Sequence, residues 1–450
     1  MTAPARRAAF QALVAVDTDR ADLPAALATS RASLSDDRDR ALTATIVTGT
    51  LRWQRSLDHL IEIYAKRPLT KLDPQVLSIL RLSLFQLLHL DRVPAAAVVD
   101  DAVSLTRAAR KSSASGFVNA VLRSMLRQRH KLPLPLRPSD PADRDAVLAY
   151  LGITFSHPGW LVDRWMNRHS FEQVERWVQF NNDAAPLTLR ANTLRITREQ
   201  LQERLSRHDV ETTATQYAPD GLLVTSGNPL RTAEDDSFFI QDEASQLVPL
   251  VMDAQPGERI LDLCASPGGK TVAMAASMHD SGTLIACDVR AGRLSLLSDT
   301  IGRSGARHVH IIHVPAQGPL PFGGTFDRVL VDAPCSGLGT IRRDPDIRWR
   351  RTAGELPRLA EQQVDLLMRA ANAVRPGGRL VYATCSSEPE ENDAVVEAFV
   401  DRAPFDRLDL RDESPGPLQA LLDDHGVLRT LPFAHGLEAF FATAMVRRGR

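Results

Sequence analysis

Apolar residues change their spacing along this chain, and the changes mark out its organisation. Over the first 130 residues they recur at three- and four-residue intervals. Leu72, Val76, Leu80, Leu84 and Leu88 fall four apart, and Val98, Val99, Ala102 and Val103 are followed by Phe117, Val118, Val121, Leu122 and Met125. That period, with no alternating stretch, predicts an all-α bundle over 1–130. Between Lys131 and Asp145, prolines at 133, 135, 138 and 141 strip backbone donors and forbid helix, so 131–145 reads as a linker.

Residues 146–250 mix both periods. Trp160, Val162, Trp165, Met166 and Trp177 suggest helices, and PLTLRAN (186–192) a strand. Thr197 with Gln200 forms a capping box opening a helix over Leu201 and Leu205, and ETTATQYAPDGLLVTSG reads as two short strands around Pro219-Asp220-Gly221. The result is a small α+β domain.

From 251 to 450 strands and helices alternate. Candidate strands are RILDLC (259–264), TLIACD (283–288), HVHIIHV (308–314), FDRVLVD (326–332) and RLVYATC (379–385), with helical segments after the first two, within 356–374 and within 392–402. Alternation of this kind predicts a doubly wound, Rossmann-like α/β domain, whose ligands sit beyond the carboxyl ends of the strands. Asp262, Cys264, Asp288, Asp332, Cys335 and Cys385 all fall at or just past such ends.

Composition adds exclusions. Hydrophobic residues make up 44% and charged residues 24% of the 450, which disfavours wholesale disorder, and no apolar run reaches the roughly 18–20 residues a membrane span needs. The start lacks the apolar core of a secretory signal, so a cytoplasmic location is expected. Net charge is −1, yet residues 1–130 carry a net +7 and the remainder −8. Only five of the 54 basic residues are Lys, so arginine is favoured throughout and a single Arg cluster is a weak signal. The four cysteines, Cys264, Cys287, Cys335 and Cys385, contain no C-x-x-C pair, which argues against a zinc module or a disulfide framework. No metal site is expected.

Three turns carry the candidate chemistry. In DLCASPGGKT (262–271) a strand ends in a Gly-Gly turn and opens a helix, presenting free N–H groups to an anion. It is neither a P-loop nor a dinucleotide fingerprint, because Cys264 stands where the first P-loop glycine would be and Gly268 and Gly269 are adjacent. With Asp288 placed for ribose hydroxyls, the pattern suits S-adenosylmethionine. DAPCSGLG (332–339) brings a carboxylate, a proline and a thiol together after the fourth strand, and YATCSSEPEEN (382–392) a second thiol after the fifth. Cys264 and Cys287 read as apolar filler, whereas Cys335 and Cys385 stand where substrate enters. A thiol is what methylation of cytosine at C5 requires: its addition at C6 places electron density on an otherwise poor carbon nucleophile. IRRDPDIRWRR (341–351), with five Arg and Trp349, reads either as a loop gripping unpaired RNA or as the surface of an arginine-rich chain, and the acidic residues from Glu388 to Asp424 as solvated helix faces.

Together DLCASPGGKT, DAPCSGLG, IRRDPDIRW and VYATCSSEPEEN resemble the RNA cytosine-C5 methyltransferase family. Upstream, VTGTLRW (47–53), LRLSLFQLLHLDRVP (80–94), AAVVDDAV (96–103) and GFVNAVLR (116–123) look like the NusB-like, RNA-binding helical domain of its RsmB (Sun/Fmu) branch, the 16S small-subunit ribosomal RNA methyltransferases. The resemblance implies a ferredoxin- or RRM-like middle domain, Cys385 as nucleophile, Cys335 as the residue assisting proton removal and product release, and Asp332 contacting both base and cofactor. It implies that S-adenosylmethionine is held by Asp262, Cys264, Ala265, Ser266, Pro267, Gly268, Gly269, Lys270, Asp288 and Asp332, and that ribosomal RNA is the partner. The alternatives are a transfer RNA cytosine-C5 methyltransferase and a non-catalytic RNA-binding assembly factor. The sequence departs from the family at Pro315 and Ala316, where an acidic residue near the adenine is usual, and at Glu438-Ala439 in HGLEAFFATAMV (435–446), a predicted closing strand.

Overall fold

A computed structural model describes residues 2–232, 236–413 and 416–449. The chain divides into two compact units, Met1–Asp183 with Ile341–Ala353, and Ala184–Thr340 with Gly354–Arg450.

The first unit is helical. Helices Pro4–Asp17, Leu23–Ala32, Asp37–Arg52, Gln54–Ala65, Pro74–His89, Ala95–Ala108 and Ser115–Gln128 build its bundle. Asp73 starts the fifth as N-cap, accepting from the N–H groups of Gln75 and Val76, and Pro74 follows where its missing donor costs nothing. Ile79, Leu80 and Leu84 from this helix close on Leu57, Leu60 and Ile61 with no solvent access, as the four-residue spacing predicts. Residues 131–143 form neither helix nor strand. Helices Arg144–Ala149, Gly159–Met166 and Phe171–Asn182 then follow, with Trp165 and Trp177 stacked at 4.4 Å between ring centroids. The helical stretch up to Asp183, grouped by its sequence with the small α+β domain, clusters with the N-terminal helices.

The Arg-rich segment also belongs to this unit, and two of the residues read as gripping RNA, Arg348 and Trp349, are engaged within it. Arg348 is fully buried; its Nη1 donates to the carbonyls of Ser156 (2.9 Å) and Arg52 (3.4 Å) and to Asn182 Oδ1 (3.1 Å), and its Nη2 to the Asn181 carbonyl (3.3 Å). Trp349 Nε1 donates to the Leu51 carbonyl at 2.6 Å, and the Arg342 guanidinium lies 4.2 Å from the Phe180 ring centre. Leu51, Arg52, Asn181 and Asn182 end the helices Asp37–Arg52 and Phe171–Asn182. Their last carbonyls lack intrahelical partners and carry the negative end of the helix dipole, so a buried guanidinium fork satisfies them. The cation serves helix ends instead of phosphate.

The second unit opens with an antiparallel sheet of strands β1 (Thr188–Ala191), β2 (Glu211–Ala214), β3 (Gly221–Ser226) and β4 (Phe238–Ile240), in the order β2-β3-β1-β4. The expected capping box is present: Thr197 Oγ1 accepts from Gln200 N–H at 3.2 Å, and Gln200 Oε1 from Thr197 N–H at 3.0 Å. The large sheet adds β5 (Arg259–Asp262), β6 (Thr283–Asp288), β7 (Val309–His313), β8 (Phe326–Asp332), β9 (Val374–Thr384), β10 (Phe405–Arg407), β11 (Leu428–Arg429) and β12 (Phe441–Arg447). Its order is β10-β12-β9-β8-β5-β6-β7, with β11 also pairing β12. The five strands β5 to β9 pair in parallel and β12 closes antiparallel on β9, giving the Rossmann-like domain the alternation predicts. Strand order reverses direction at β5, between β8 and β6, where such sheets open a crevice for ligands.

Candidate active site

β5 ends at Asp262, and the turn after it leads into the helix Gly269–Ser277. Gly268 precedes that helix with φ +108°, a left-handed conformation favouring glycine, and a Cβ there would come within 3.0 Å of Leu297 and Thr300 side-chain atoms. The helix has no side-chain cap, so its first N–H groups face the turn. Ala265 N–H bonds the Cys287 carbonyl at 2.8 Å and Ser266 Oγ the Arg293 carbonyl at 3.1 Å, fixing the turn against β6 and the following helix. Asp288 ends β6, buried, with its Oδ1 accepting from Arg290 N–H at 2.8 Å. Cys287 is fully enclosed, and burial pushes its thiol up to about 12, in keeping with a packing role.

Asp262 is buried; its Oδ2 accepts from Thr271 Oγ1 at 2.7 Å, while its Oδ1 has no partner. Burial pushes its carboxyl up to about 7, with the Asp332 charge adding and the Thr271 bond and Lys270 opposing. A carboxyl raised in the native state binds its proton more tightly there than in the unfolded chain. Stability is therefore expected to fall as pH rises from 3.8 to about 7 and to level off above, and Asp262→Asn should flatten that stretch of a melting-temperature profile.

Lys270, in the first turn of the same helix, reaches Asp332 at the end of β8, Nζ to Oδ2 2.7 Å. Burial works against its charge, but Asp332 prevails, helped by Cys385 and Asp262, and the ammonium is held above its usual range. Its Nζ also lies 5.9 Å from the Phe440 ring centre.

Cys335 and Cys385 follow the ends of β8 and β9. These strands are adjacent and parallel, with Asp332 opposite Ala383, so two residues 50 apart in sequence meet with their sulfurs 3.3 Å apart. Pairing continues past both strands, Ala333 N–H bonding the Ala383 carbonyl at 2.8 Å and Gly339 N–H the Cys385 carbonyl at 3.0 Å. The hydrogen bond with Cys385, then burial, push the Cys335 thiol well above its ordinary value. Ala439, in the closing segment, donates its N–H to the Gly339 carbonyl at 3.1 Å. A Cβ on Gly339 would sit 1.9 Å from the Ala439 oxygen and 2.8 Å from the Cys385 oxygen. Gly339→Ala is thus expected to destabilise the second unit by about 1–3 kcal/mol through overpacking and to displace Cys385. Calorimetric melting and a methyl-transfer assay would measure the two effects.

The loop after β7 is held by a side chain from a later helix. The Arg369 guanidinium donates to the carbonyls of Pro315 (2.6 Å), Ala316 (2.9 Å) and Gly318 (2.8 Å).

The 16S rRNA methyltransferase RsmB/F profile matches residues 249–446, a NusB profile 3–127, and an RsmF/B-like ferredoxin-like domain profile 157–231. A probable ribosomal RNA small subunit methyltransferase B of Bacillus subtilis (strain 168) is 33% identical over 422 residues, 92% of each chain. The chain belongs to the RsmB/F family of 16S rRNA methyltransferases. The ribosomal RNA small subunit methyltransferase B of Pseudomonas putida KT2440 is 34% identical over 91% of this chain and 92% of its own. The crystal structure of PH0851 superposes with a TM-score of 0.81 over 99% of both chains at 25% identity.

Within this RsmB/F chain the fold gathers the predicted residues into two neighbouring groups. Asp262 and Asp288 flank the turn of residues 264–270 after β5, and Asp332, Cys335 and Cys385 stand at or just past the ends of β8 and β9, with Lys270 reaching Asp332 from the helix after β5. Sequence reasoning missed Glu391, Asn392, Ser336, Ser386 and Gln363, which form a buried network behind the two cysteines. Assigning Glu388–Asp424 wholly to solvated faces is corrected by Glu388 and Glu391, both fully buried. The signal was present in the motif itself, where two serines and an asparagine accompany the acids. Gln241 was also missed; its side-chain amide lies 3.4 Å from where a Cβ on Gly269 would be.

Proposed function

We propose that this methyltransferase modifies C5 of a cytidine in 16S ribosomal RNA through a transient bond between Cys385 and C6 of the base. The observation that carries this reading is the contact of the Cys335 and Cys385 sulfurs beside the Lys270–Asp332 pair. A methyltransferase acting on an exocyclic amine needs no thiol, since a lone pair is at hand. S-adenosylmethionine, when bound, supplies a methyl group on a sulfonium.

The residues after β5 fit that group. Asp262 keeps an unpartnered buried oxygen for a cationic donor, the uncapped helix start offers N–H groups to a carboxylate, and Asp288 presents a carboxylate suited to ribose hydroxyls. At the thiol pair, the Cys385 thiolate adds to C6, and the electron pair of the C5–C6 double bond becomes available at C5. Asp332 hydrogen-bonds the ring as charge develops on it. Once C5 carries the methyl group, a base takes its proton, the double bond reforms, and the Cys385 sulfur leaves as a thiolate. Cys335, held as a thiol, donates to that departing sulfur and so assists release. All four cysteines are free thiols, which suits a reducing cytoplasm.

The test is transfer of tritiated methyl to unmodified 16S rRNA, followed by nucleoside analysis. Label in 5-methylcytidine supports the reading. Label in an N-methylated nucleoside, or in transfer RNA instead, would overturn it.

A further inference from the structure

Glu391 is an anion buried without a cation among its hydrogen-bond partners. Its Oε1 accepts from the backbone N–H of Ser336 (2.8 Å) and from Gln363 Nε2 (3.0 Å), and its Oε2 from Ser386 Oγ (2.6 Å). Ser336 follows Cys335 and Ser386 follows Cys385, so one carboxylate grips the residue beyond each sulfur. The two serine hydroxyls are themselves 3.2 Å apart.

Other bonds keep the carboxylate in place. The Tyr382 hydroxyl lies 2.6 Å from the Glu391 carbonyl oxygen and 3.1 Å from Gln363 Oε1, and Gln363 Nε2 also donates to the Pro334 carbonyl at 3.0 Å. Asn392 Nδ2 donates to the Ser386 carbonyl at 3.0 Å, and its Oδ1 accepts from Thr384 Oγ1 at 2.6 Å. A carboxylate taken out of water is costly unless hydrogen bonds replace its hydration, and an apolar side chain of similar size would fill the same space at less cost. The bonds to both cysteine turns are what an apolar residue could not supply.

We propose that Glu391 is a positioning residue whose carboxylate ties the Cys335 turn to the Cys385 turn and so sets the contact between the two sulfurs. This deepens the reading of the cysteines given above and rests on it. Its charge has a second consequence. The titratable groups facing Cys335 are Cys385, Glu391 and Tyr382, and the negative charges among them help keep the Cys335 proton in place.

The test compares Glu391→Ala and Glu391→Gln with the full-length wild type. Diamide takes up two hydrogens as two thiols join, so its rate of coupling Cys335 to Cys385, mapped by peptide mass, reports sulfur spacing without reference to activity. Glu391→Ala is expected to slow coupling and methyl transfer by about 10²-fold, the scale of an ångström's misplacement, while affinity for S-adenosylhomocysteine stays unchanged. Glu391→Gln keeps the acceptor for Ser336 and Gln363 but removes the charge. It should couple at close to the wild-type rate and move the pH profile of adduct release to lower pH, because Cys335 then loses its proton more easily.

Wild-type coupling in Glu391→Ala, with methyl transfer reduced only as far as the folded fraction, would overturn the proposal. If Glu391→Ala does not fold, Glu391→Asp, one methylene too short to hold both turns, is measured in its place, and wild-type coupling there overturns the proposal. A Cys385→Ala control that still forms the RNA adduct would reject the reading of the cysteines, whereas the coupling rates judge Glu391 independently.

Discussion

Cys385→Ala is expected to abolish methyl transfer together with any protein–RNA adduct that survives denaturing electrophoresis, whereas Cys335→Ala should retain the adduct and accumulate it. Removing the nucleophile of a covalent enzyme costs on the order of 10⁶ in rate, because no neighbouring group replaces the bond it forms. Removing a group that assists a proton transfer costs less, about 10²–10⁴, and here it falls on the release step. The opposite effects on one gel band follow from the roles proposed for the two residues. The sulfurs are 3.3 Å apart, and the hydrogen bond with Cys385 and then burial push the Cys335 thiol well above its ordinary value, which supports a donor role for Cys335. Cys287→Ala serves as a control in the same assay. Equal adduct levels in the Cys335 and Cys385 variants would sink the assignment of separate roles.

Arg348→Ala should unfold the first unit more readily, by about 1–3 kcal/mol, the cost of leaving buried acceptors unsatisfied, while leaving RNA affinity intact in the protein that remains folded. Four acceptors, the carbonyls of Arg52, Ser156 and Asn181 and the Asn182 side chain, would lose their charged donor at a buried or part-buried site. Arg348→Met keeps much of the apolar stem, so it separates lost packing from lost hydrogen bonds and should recover only part of the deficit. The measurement is convenient because all five tryptophans, Trp53, Trp160, Trp165, Trp177 and Trp349, lie in the first unit, and denaturant titration by tryptophan fluorescence reports that unit alone. Wild-type stability together with weakened RNA binding would restore the view of this segment as an RNA-gripping loop.

Both experiments probe features of different legibility. The cysteines announce themselves, since each stands just past an apolar strand and beside a carboxylate or polar turn. Arg348 does not. Its neighbours Arg342, Arg343, Arg350 and Arg351 make a basic run whose simplest interpretation is a polyanion site. Only the helix ends that receive the guanidinium, about 170 and 300 positions away, show that this member of the run is structural. Glu391 misleads in the same way, because an acidic residue among acidic residues reads as solvated until its three donors are located.

The sequence by itself determined the periodic elements and their order: a helical stripe such as Val76, Leu80 and Leu84, the strand that runs through Asp262, the strands that end at Asp288 and Asp332, and the glycine turn at Gly268. Those are local consequences of side-chain spacing and backbone freedom. The usual order of such a sheet already sets the strands before residues 335 and 385 side by side; tertiary structure alone decided that their sulfurs come within 3.3 Å, that Arg348 joins the helical unit, and that Glu391 is enclosed. The physical reason is that a charge is stable in the interior only when distant parts of the chain bring donors or acceptors to it, and pairing between strands 50 residues apart leaves no periodic trace in either one.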